Sequence, residues 1–268
     1  MRKLGMNFGA DGGKERPVEE RLAGLVEHGF TAIFTGLHGT ADAVRDLSLA
    51  ARAAGVDYDF IHAPFKGINN IWKEGEDGEA QLNTLITCAE ACAHGEVPMM
   101  VIHLSSGDNA PCVNDLGIAR FDRLIERCGE LGVQVAMENQ RKIGNLACLL
   151  ERYAKEKHVG FCWDNGHEAC FTPGMEYMPW FGKRLMCLHI HDNRNVYNDD
   201  CHYLPFDGEI DFTRVAELIR ESGFGGTLML ETKGVGSNLY SSLTPNEFLE
   251  RAYRRANRLR EMIDGKEA

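Results

Sequence analysis

Short apolar, β-branched segments alternate along the whole chain with longer segments in which apolar residues recur at helical spacing, as with Leu22, Leu25 and Val26. The first kind predicts strands and the second predicts amphipathic helices. The predicted strands are Leu4–Phe8, Thr31–Phe34, Asp57–His62, Met99–His103, Val133–Glu138, Val159–Asp164, Met186–His191 and Thr227–Glu231. The predicted helices are Val18–His28, Ala41–Ala54, Gly78–Ala93, Ile118–Leu131, Leu146–Lys155, Phe212–Ser222 and Pro245–Ile263.

The order of these elements predicts an α/β protein with the (β/α)₈ TIM-barrel fold. Each strand-plus-helix unit takes up about 33 residues, which is the size of one βα repeat. We find no linker or block of like charges that divides the chain, so residues 1–268 are expected to form a single barrel domain. A doubly wound sheet is the alternative, but the segment Asn7–Gly13 lacks the spacing of a glycine-rich dinucleotide loop.

Charge and composition narrow the range of partners. The chain has 29 Lys and Arg residues against 40 Asp and Glu residues, a net charge of −11, which opposes non-specific attraction to nucleic acids or anionic membranes. No apolar run reaches the roughly 18–20 residues of a membrane span, and the N-terminal residues lack the apolar core of a signal peptide. We therefore expect a cytoplasmic protein whose nine scattered cysteines are reduced.

Candidate chemistry collects where the predicted strands end, which is where barrel enzymes assemble their active sites. Ionisable residues stand at the ends of six successive strands: His62, His103, Glu138, Asp164, His189 and Glu231. Clustered buried carboxylates and imidazoles need a cation among them, because an unpaired buried carboxylate costs several kcal/mol. Oxygen and nitrogen ligands of this kind suit Mn²⁺, Zn²⁺, Co²⁺ or Mg²⁺.

Four short motifs accompany these residues: Glu138-Asn139, Asp164-x-x-His167, His189-x-x-Asp192 and Leu230-Glu231-Thr232. With them, nearly the whole chain resembles the xylose-isomerase-like barrels. That superfamily includes sugar and sugar-phosphate isomerases and epimerases, and the apurinic endonuclease IV family.

The resemblance to the epimerase branch implies that Glu138, Asp164, His189 and Glu231 hold one divalent ion. Glu138 and Glu231 would be the catalytic residues, exchanging a proton with opposite faces of a sugar through an enediolate. His167 would bind a substrate hydroxyl. His191 is two residues beyond His189 and points to the same side of the strand, so it is the alternative ligand there.

The resemblance to the endonuclease branch implies a different site, with two or three zinc ions. Its nine matching positions are His62, His103, Glu138, Asp164, His167, His189, Asp200, His202 and Glu231. His62, His103 and His202 could equally contact a polyol substrate. The acidic loop Lys73–Glu79 and the scattered single cations argue against a nucleic-acid partner.

The sequence therefore predicts a divalent-metal-dependent isomerase or epimerase of a small sugar, sugar phosphate or polyol-like ketone. The alternatives are a multi-zinc phosphoester hydrolase of the endonuclease IV type and a metal-free ligand-binding barrel. We expect a small carbohydrate as partner. A homo-oligomer is compatible with the sequence, and the segment Asp192–Phe206 is either a lid or a subunit contact. Trp72, in a loop, either closes over the site or packs in the core.

Overall fold

The computed structural model describes residues 1–13, 15–235, 237 and 239–266. Eight strands form one sheet in the order β7-β6-β5-β4-β3-β2-β1-β8. Their bounds are β1 Leu4–Asn7, β2 Ala32–Gly36, β3 Asp57–His62, β4 Met99–Ile102, β5 Gln134–Glu138, β6 Val159–Asp164, β7 Leu185–His189 and β8 Leu228–Leu230. Most strand residues are buried, as in a parallel sheet with helices outside it. The predicted (β/α)₈ barrel is confirmed.

Helices follow the strands in sequence, and two of them end at a glycine in the left-handed conformation. Gly132 and Gly223 have φ values of 71° and 75° at the ends of α4 and α8, which glycine adopts at little cost. The helix bounds are α1 Val18–Glu27, α2 Ala41–Ala53, α3 Glu76–His94, α4 Asp115–Leu131, α5 Ile143–Arg152, α6 Asn165–Phe171, α7 Met178–Phe181, α8 Phe212–Ser222 and α9 Pro245–Ile263.

The contacts divide the chain into two compact units, of which the first comprises Met1–Phe34, Leu49–Tyr58 and Trp163–Ala268. Within this unit β1 pairs in parallel with β2 and with β8, so that Met6 lies opposite both Ile33 and Leu230. A parallel bridge between Ile190 and Leu230 connects the residues that follow β7 to β8. The ends of β6, β7 and β8 therefore belong to one unit.

The second unit comprises Thr35–Ser48 and Asp59–Cys162. Within it β4 pairs in parallel with β3 and β5, and β5 pairs with β6. Trp72 is 2% exposed, packs against Phe121 and donates its indole N–H to the carbonyl of Leu104 at 2.7 Å. Trp72 is thus a core residue, and its side chain does not form a lid.

Most predicted elements lie within three residues of their observed bounds, but sequence periodicity missed the short ones. Helices α6 and α7 and the 3₁₀ helices Ile68–Trp72 and Gly182–Arg184 were not predicted, because each is too short to show an amphipathic repeat. All nine cysteines are described and free, with Cys112 and Cys148 exposed and the others buried. Within the described residues, no helix combines the length and apolar character needed to cross a membrane.

Candidate metal centre

Asp164 is the last residue of β6 and also caps the helix that follows it. Its Oδ1 accepts a hydrogen bond from the backbone N–H of His167 at 2.6 Å, which satisfies one of the free donors at the start of α6. The carboxylate is fully buried. Because the strand continues into the helix without a loop, Asp164 and the His167 ring stay close together, with Nδ1 of His167 3.6 Å from Oδ2 of Asp164.

His189 and Glu231 meet beside this carboxylate, in the same unit. His189 ends β7 and is fully buried, and Glu231 directly follows β8. The Nδ1 atom of His189 lies 3.2 Å from Oε2 of Glu231 and 3.9 Å from Oδ2 of Asp164. The ring of Phe34 stacks on that of His189 at 5.0 Å between centroids, which fixes the plane of the imidazole.

His167, Asp200 and His202 form a second group in the same unit. Oδ2 of Asp200 lies 2.8 Å from Nε2 of His202 and 3.5 Å from Nε2 of His167. Burial opposes ionisation of Asp200, but the hydrogen bonds from His167 and His202 outweigh it and lower the pKa of that carboxyl far below its ordinary value. Burial also opposes ionisation of His202, which by itself would lower the pKa of that imidazole. The hydrogen bond to Asp200 and the charge of Glu231 outweigh burial and raise the pKa of His202 to about 9. These carboxylates therefore attract positive charge.

His191 is buried between these two groups. Its Nε2 lies 3.0 Å from Oδ1 of Asp164, and its ring stacks on His202 with centroids 4.1 Å apart. His189 is therefore the nearer imidazole to Glu231, whereas His191 is the nearer one to Asp164. The choice between them as a metal ligand stays open, with His189 as the prediction.

The second unit holds a third group, made by His62, His103 and Glu138 at the ends of β3, β4 and β5. Oε2 of Glu138 lies 3.1 Å from Nε2 of His62 and 2.9 Å from Nε2 of His103. The Glu138 side chain is fully buried. Phe65 stacks on His103 at 4.4 Å and is 48% exposed, so it offers an apolar surface next to these three side chains.

Each group offers ligand atoms that lie within 4.8 Å of one another, as a metal ion requires. Such groups include His62, His103 and Glu138; His167, Asp200 and His202; and His191, His202 and Glu231. The donors are carboxylate oxygens and imidazole nitrogens, which suit the predicted divalent ions. Among described residues, the buried Oδ1 of Asp200 has no hydrogen-bond partner, as expected of an oxygen that can accept a cation. That Glu138 shares one ion with Asp164, His189 and Glu231 remains a prediction.

Two residues near the site have roles that the sequence did not reveal. The buried carboxylate of Asp192 accepts hydrogen bonds from the backbone N–H groups of Asn193, Gly208 and Ile210 at 2.7–3.0 Å. It thereby folds the segment with Asp200 and His202 back onto β7. Asn165 exchanges two hydrogen bonds with the backbone of His191, at 2.9 and 3.0 Å. The motif spacing marked Asp192, but its backbone partners are as many as 18 residues away.

Another residue beside the third group could have been found from the strand pattern. Gln140 follows Glu138 by two positions and is therefore expected on the same side of the chain. Its side-chain amide lies 3.3 Å from Nε2 of His103. Gln140 thus helps to orient the His103 ring.

Comparisons with known proteins show which relatives and folds this chain resembles. An uncharacterized protein of Sinorhizobium fredii is 33% identical over 150 residues, which are 53% of this chain and 46% of that relative, so the match spans about half of the relative's length. The fold is similar to that of a D-tagatose 3-epimerase-like protein, with a TM-score of 0.75, 19% identity and coverage of 99% of this chain and 100% of the other. It is also similar to that of an L-ribulose 3-epimerase, with a TM-score of 0.75, 14% identity and coverage of 100% and 99%.

The family comparison covers most of the chain. The family model described as xylose isomerase-like TIM barrel matches residues 22–259, a range that contains every predicted site residue. The chain belongs to the xylose isomerase-like TIM barrel family.

Proposed function

We propose that this chain is a divalent-metal-dependent isomerase or epimerase that acts on a small sugar, sugar phosphate or polyol-like ketone through an enediolate. One observation carries the proposal: the carboxylate of Glu231 lies 3.2 Å from the buried His189 and shares its unit with the buried Asp164. Such a set combines ligands for a hard or borderline cation with a carboxylate able to exchange a proton.

The residues that would hold the ion are Glu138, Asp164, His189 and Glu231. When bound by these residues, a divalent ion would supply Lewis-acid chemistry that makes the C–H bond between a carbonyl and its neighbouring hydroxyl more acidic. Neighbouring side chains keep two of the proposed ligands in fixed orientations. His191 holds Asp164, and Phe34 holds the plane of His189.

The two glutamates would carry the proton. Glu138 is fully buried beside two imidazoles, whereas the side chain of Glu231 is 18% exposed and open to a ligand. We infer that one glutamate removes the proton of the substrate and that the other returns a proton to the opposite face. His167 would orient a substrate hydroxyl.

The substrate class rests on chemistry and on likeness of fold. The similar structures named above are a D-tagatose 3-epimerase-like protein and an L-ribulose 3-epimerase, both named for action on ketoses. The exposed ring of Phe65 beside His103 offers an apolar surface of the kind that packs against a sugar. Ketoses are accordingly the first compounds to test.

The experiment combines metal analysis with an activity screen. The purified protein is stripped with a chelator, reloaded with Mn²⁺, Co²⁺, Zn²⁺ or Mg²⁺, and incubated with ketopentoses, ketohexoses and their phosphates. We expect one ion per chain and a metal-dependent conversion of at least one ketose into its epimer or isomer. Full activity in the stripped protein would contradict the role of the metal. Tight sugar binding without metal or turnover would favour the ligand-binding barrel.

The group His167, Asp200 and His202 favours a second candidate function, a multi-zinc phosphoester hydrolase. The three side chains offer ligand atoms within 4.8 Å of one another, and the group His62, His103 and Glu138 does the same in the second unit. Metal analysis separates the candidates. Two or three zinc ions per chain, with hydrolysis of a phosphodiester, would support the hydrolase.

A further inference from the structure

Four arginines line one depression on helix α9, and none of them is a predicted residue of the metal site. Their side chains surround a cavity of about 420 Å³, a volume within the range of about 300–1,000 Å³ typical of small-molecule sites. The four positions recur at intervals of three and four residues, so they form one stripe of the helix. They are Arg251, Arg254, Arg255 and Arg258.

Two of these arginines, Arg251 and Arg255, form ion pairs with the same buried aspartate. Asp207 is buried, with 3% of its side chain exposed, and its Oδ1 accepts from Arg251 at 2.8 Å and from Arg255 at 2.7 Å. Its Oδ2 accepts a hydrogen bond from the hydroxyl of Tyr240 at 3.0 Å. One carboxylate thus balances one of the two charges while it fixes both guanidinium groups in place.

The other two arginines are more exposed to solvent. The side chain of Arg254 is 70% exposed, and Glu250 lies 4.0 Å away at the limit of an ion pair. Arg258 is exposed and places its guanidinium 4.2 Å from the centroid of the Phe206 ring. The negative face of the ring attracts the cation and so helps to position this guanidinium.

Like charges at this spacing repel each other, and the single carboxylate of Asp207 offsets only part of the positive charge of the four guanidinium groups. The chain as a whole carries a net charge of −11, which makes this local positive charge stand out against its surroundings. Guanidinium groups bind phosphate through paired N–H···O bonds and are less strongly hydrated than lysine ammonium groups. Several of them around one cavity fit an anion with more than one charge.

We propose that the depression on α9 binds a small free anion that carries two or more phosphate groups. Arg251 and Arg255, fixed by Asp207, form its rigid floor, and Arg254 and Arg258 supply the remaining donors. The site is independent of the proposed function, because it shares no residue with the metal ligands.

Calorimetric titration of the full chain with pyrophosphate at low ionic strength tests the proposal, with inorganic phosphate as the comparison. We expect one site per chain that prefers pyrophosphate and weakens as NaCl is added. The double variant Arg254→Gln/Arg258→Gln should bind at least about tenfold more weakly, because each arginine makes charge-assisted hydrogen bonds.

The matched control is Arg45→Gln/Arg52→Gln on α2, which removes the same net charge from exposed positions elsewhere. Its affinity should stay close to that of the unaltered chain. Equal weakening in both double variants would show a diffuse charge effect and overturn the site, as would the absence of pyrophosphate binding. If the first double variant unfolds, Arg254→Gln alone decides, since its side chain is mostly in solvent.

Discussion

His191 lies against Asp164 with both side chains fully buried, and its Nε2 is 3.0 Å from Oδ1 and 3.3 Å from Oδ2 of the carboxylate. The backbone of His191 is held in turn by the side chain of Asn165. A carboxylate fixed in this way presents its oxygens in one orientation. Partners of this kind tune metal affinity by about 10–100-fold where they have been removed from metal sites.

A substitution at Gly166 tests this contact without replacing either His191 or Asp164. A Cβ at this position would lie 1.9 Å from Cε1 of His191, so Gly166→Ala must displace the ring. We expect a loss of about 1–3 kcal/mol in the free energy of unfolding and weaker binding of Mn²⁺. Thermal denaturation and calorimetric titration with Mn²⁺ measure the two effects.

The control for that experiment is Gly144→Ala on α5, where an added Cβ meets nothing within 4 Å. Alanine favours a helix over glycine by about 1 kcal/mol, so this variant should be as stable as the unaltered chain or more so. Unchanged Mn²⁺ affinity in Gly166→Ala would show that His191 does not position Asp164.

Replacing Asp164 itself should lower metal content and activity together. Asp164→Asn keeps the size of the side chain but removes the negative charge that a divalent ion needs. The metal-dependent increase in melting temperature should shrink with it, because a ligand bound only to the folded state stabilises that state. Elemental analysis and thermal denaturation with added Mn²⁺ provide the readouts, with the exposed Asp46→Asn as control. Full metal content in Asp164→Asn would remove this residue from the site.

Local sequence signals were sufficient for much of the fold. The bounds of α8 and α9 were predicted to the residue from apolar periodicity, with Gly223 marking the end of α8. The structure shows further local signals at these ends, because Asp211 caps the start of α8 and a Thr244–Glu247 capping box begins α9. The strand-end residues were found because parallel strands place their carboxyl ends at one side. Neither inference needs knowledge of contacts between distant residues.

The features that were not predicted from the sequence depend on contacts between residues far apart in the chain. Asp192 looked like part of a ligand motif, yet its oxygens accept from the backbone of residues 208 and 210, which a distant loop brings back. His202 adopts a φ of 53°, a conformation that non-glycine residues seldom take and that often occurs at functional sites. The sequence alone contains no local signal for the backbone partners of Asp192 or for the backbone conformation of His202.

The ion pair between Asp122 and Arg152 should give a small, acid-sensitive contribution to stability. Two hydrogen bonds from Arg152, at 2.7 and 2.6 Å, lower the pKa of Asp122, and the Tyr153 hydroxyl adds a third. A depressed folded-state pKa stabilises the protein above the unfolded value of about 3.9, and this contribution is lost as the pH falls through the folded-state pKa.

Asp122→Asn should therefore lower the free energy of unfolding at pH 7 by less than about 1 kcal/mol, since the pair is exposed to solvent. Denaturant titrations of both proteins at neutral pH and below the folded-state pKa check this. The difference between them should disappear at the lower pH. A difference that persists there would mean that packing, and not charge, accounts for the effect.

Duplex DNA should be a poor ligand at physiological salt. Acidic neighbours already pair with cations in the loops after the strands, as Asp199 does with Arg194 and Asp108 with Arg141. We expect a dissociation constant weaker than about 1 μM for a duplex with an abasic site, as in non-specific binding. Fluorescence anisotropy at several salt concentrations measures it. Tight binding followed by incision would favour the multi-zinc hydrolase.

The two-glutamate mechanism makes the sharpest prediction. Glutamine at position 138 or 231 keeps the size of the side chain and one coordinating oxygen, but it cannot accept a proton. Each of Glu138→Gln and Glu231→Gln should therefore lose turnover by at least about 10²–10⁴-fold, the range that general-base catalysis contributes. Sugar binding should survive better than turnover, because His167 and Phe65 are unchanged.

Hydrogen exchange then separates proton transfer from an internal hydride shift. With a ketose substrate in D₂O, an enzyme that works through an enediolate incorporates deuterium at the altered carbon, whereas a hydride shift keeps the original hydrogen. If the glutamates act on opposite faces, each Gln variant keeps one of the two bases. One variant should then exchange the hydrogen of the substrate with solvent without forming product. The other variant should exchange the hydrogen of the opposite epimer, again without converting it. Mass spectrometry and NMR of recovered sugar report both. Near-full activity in both variants with metal still bound would exclude the mechanism, because neither carboxylate could then be the base.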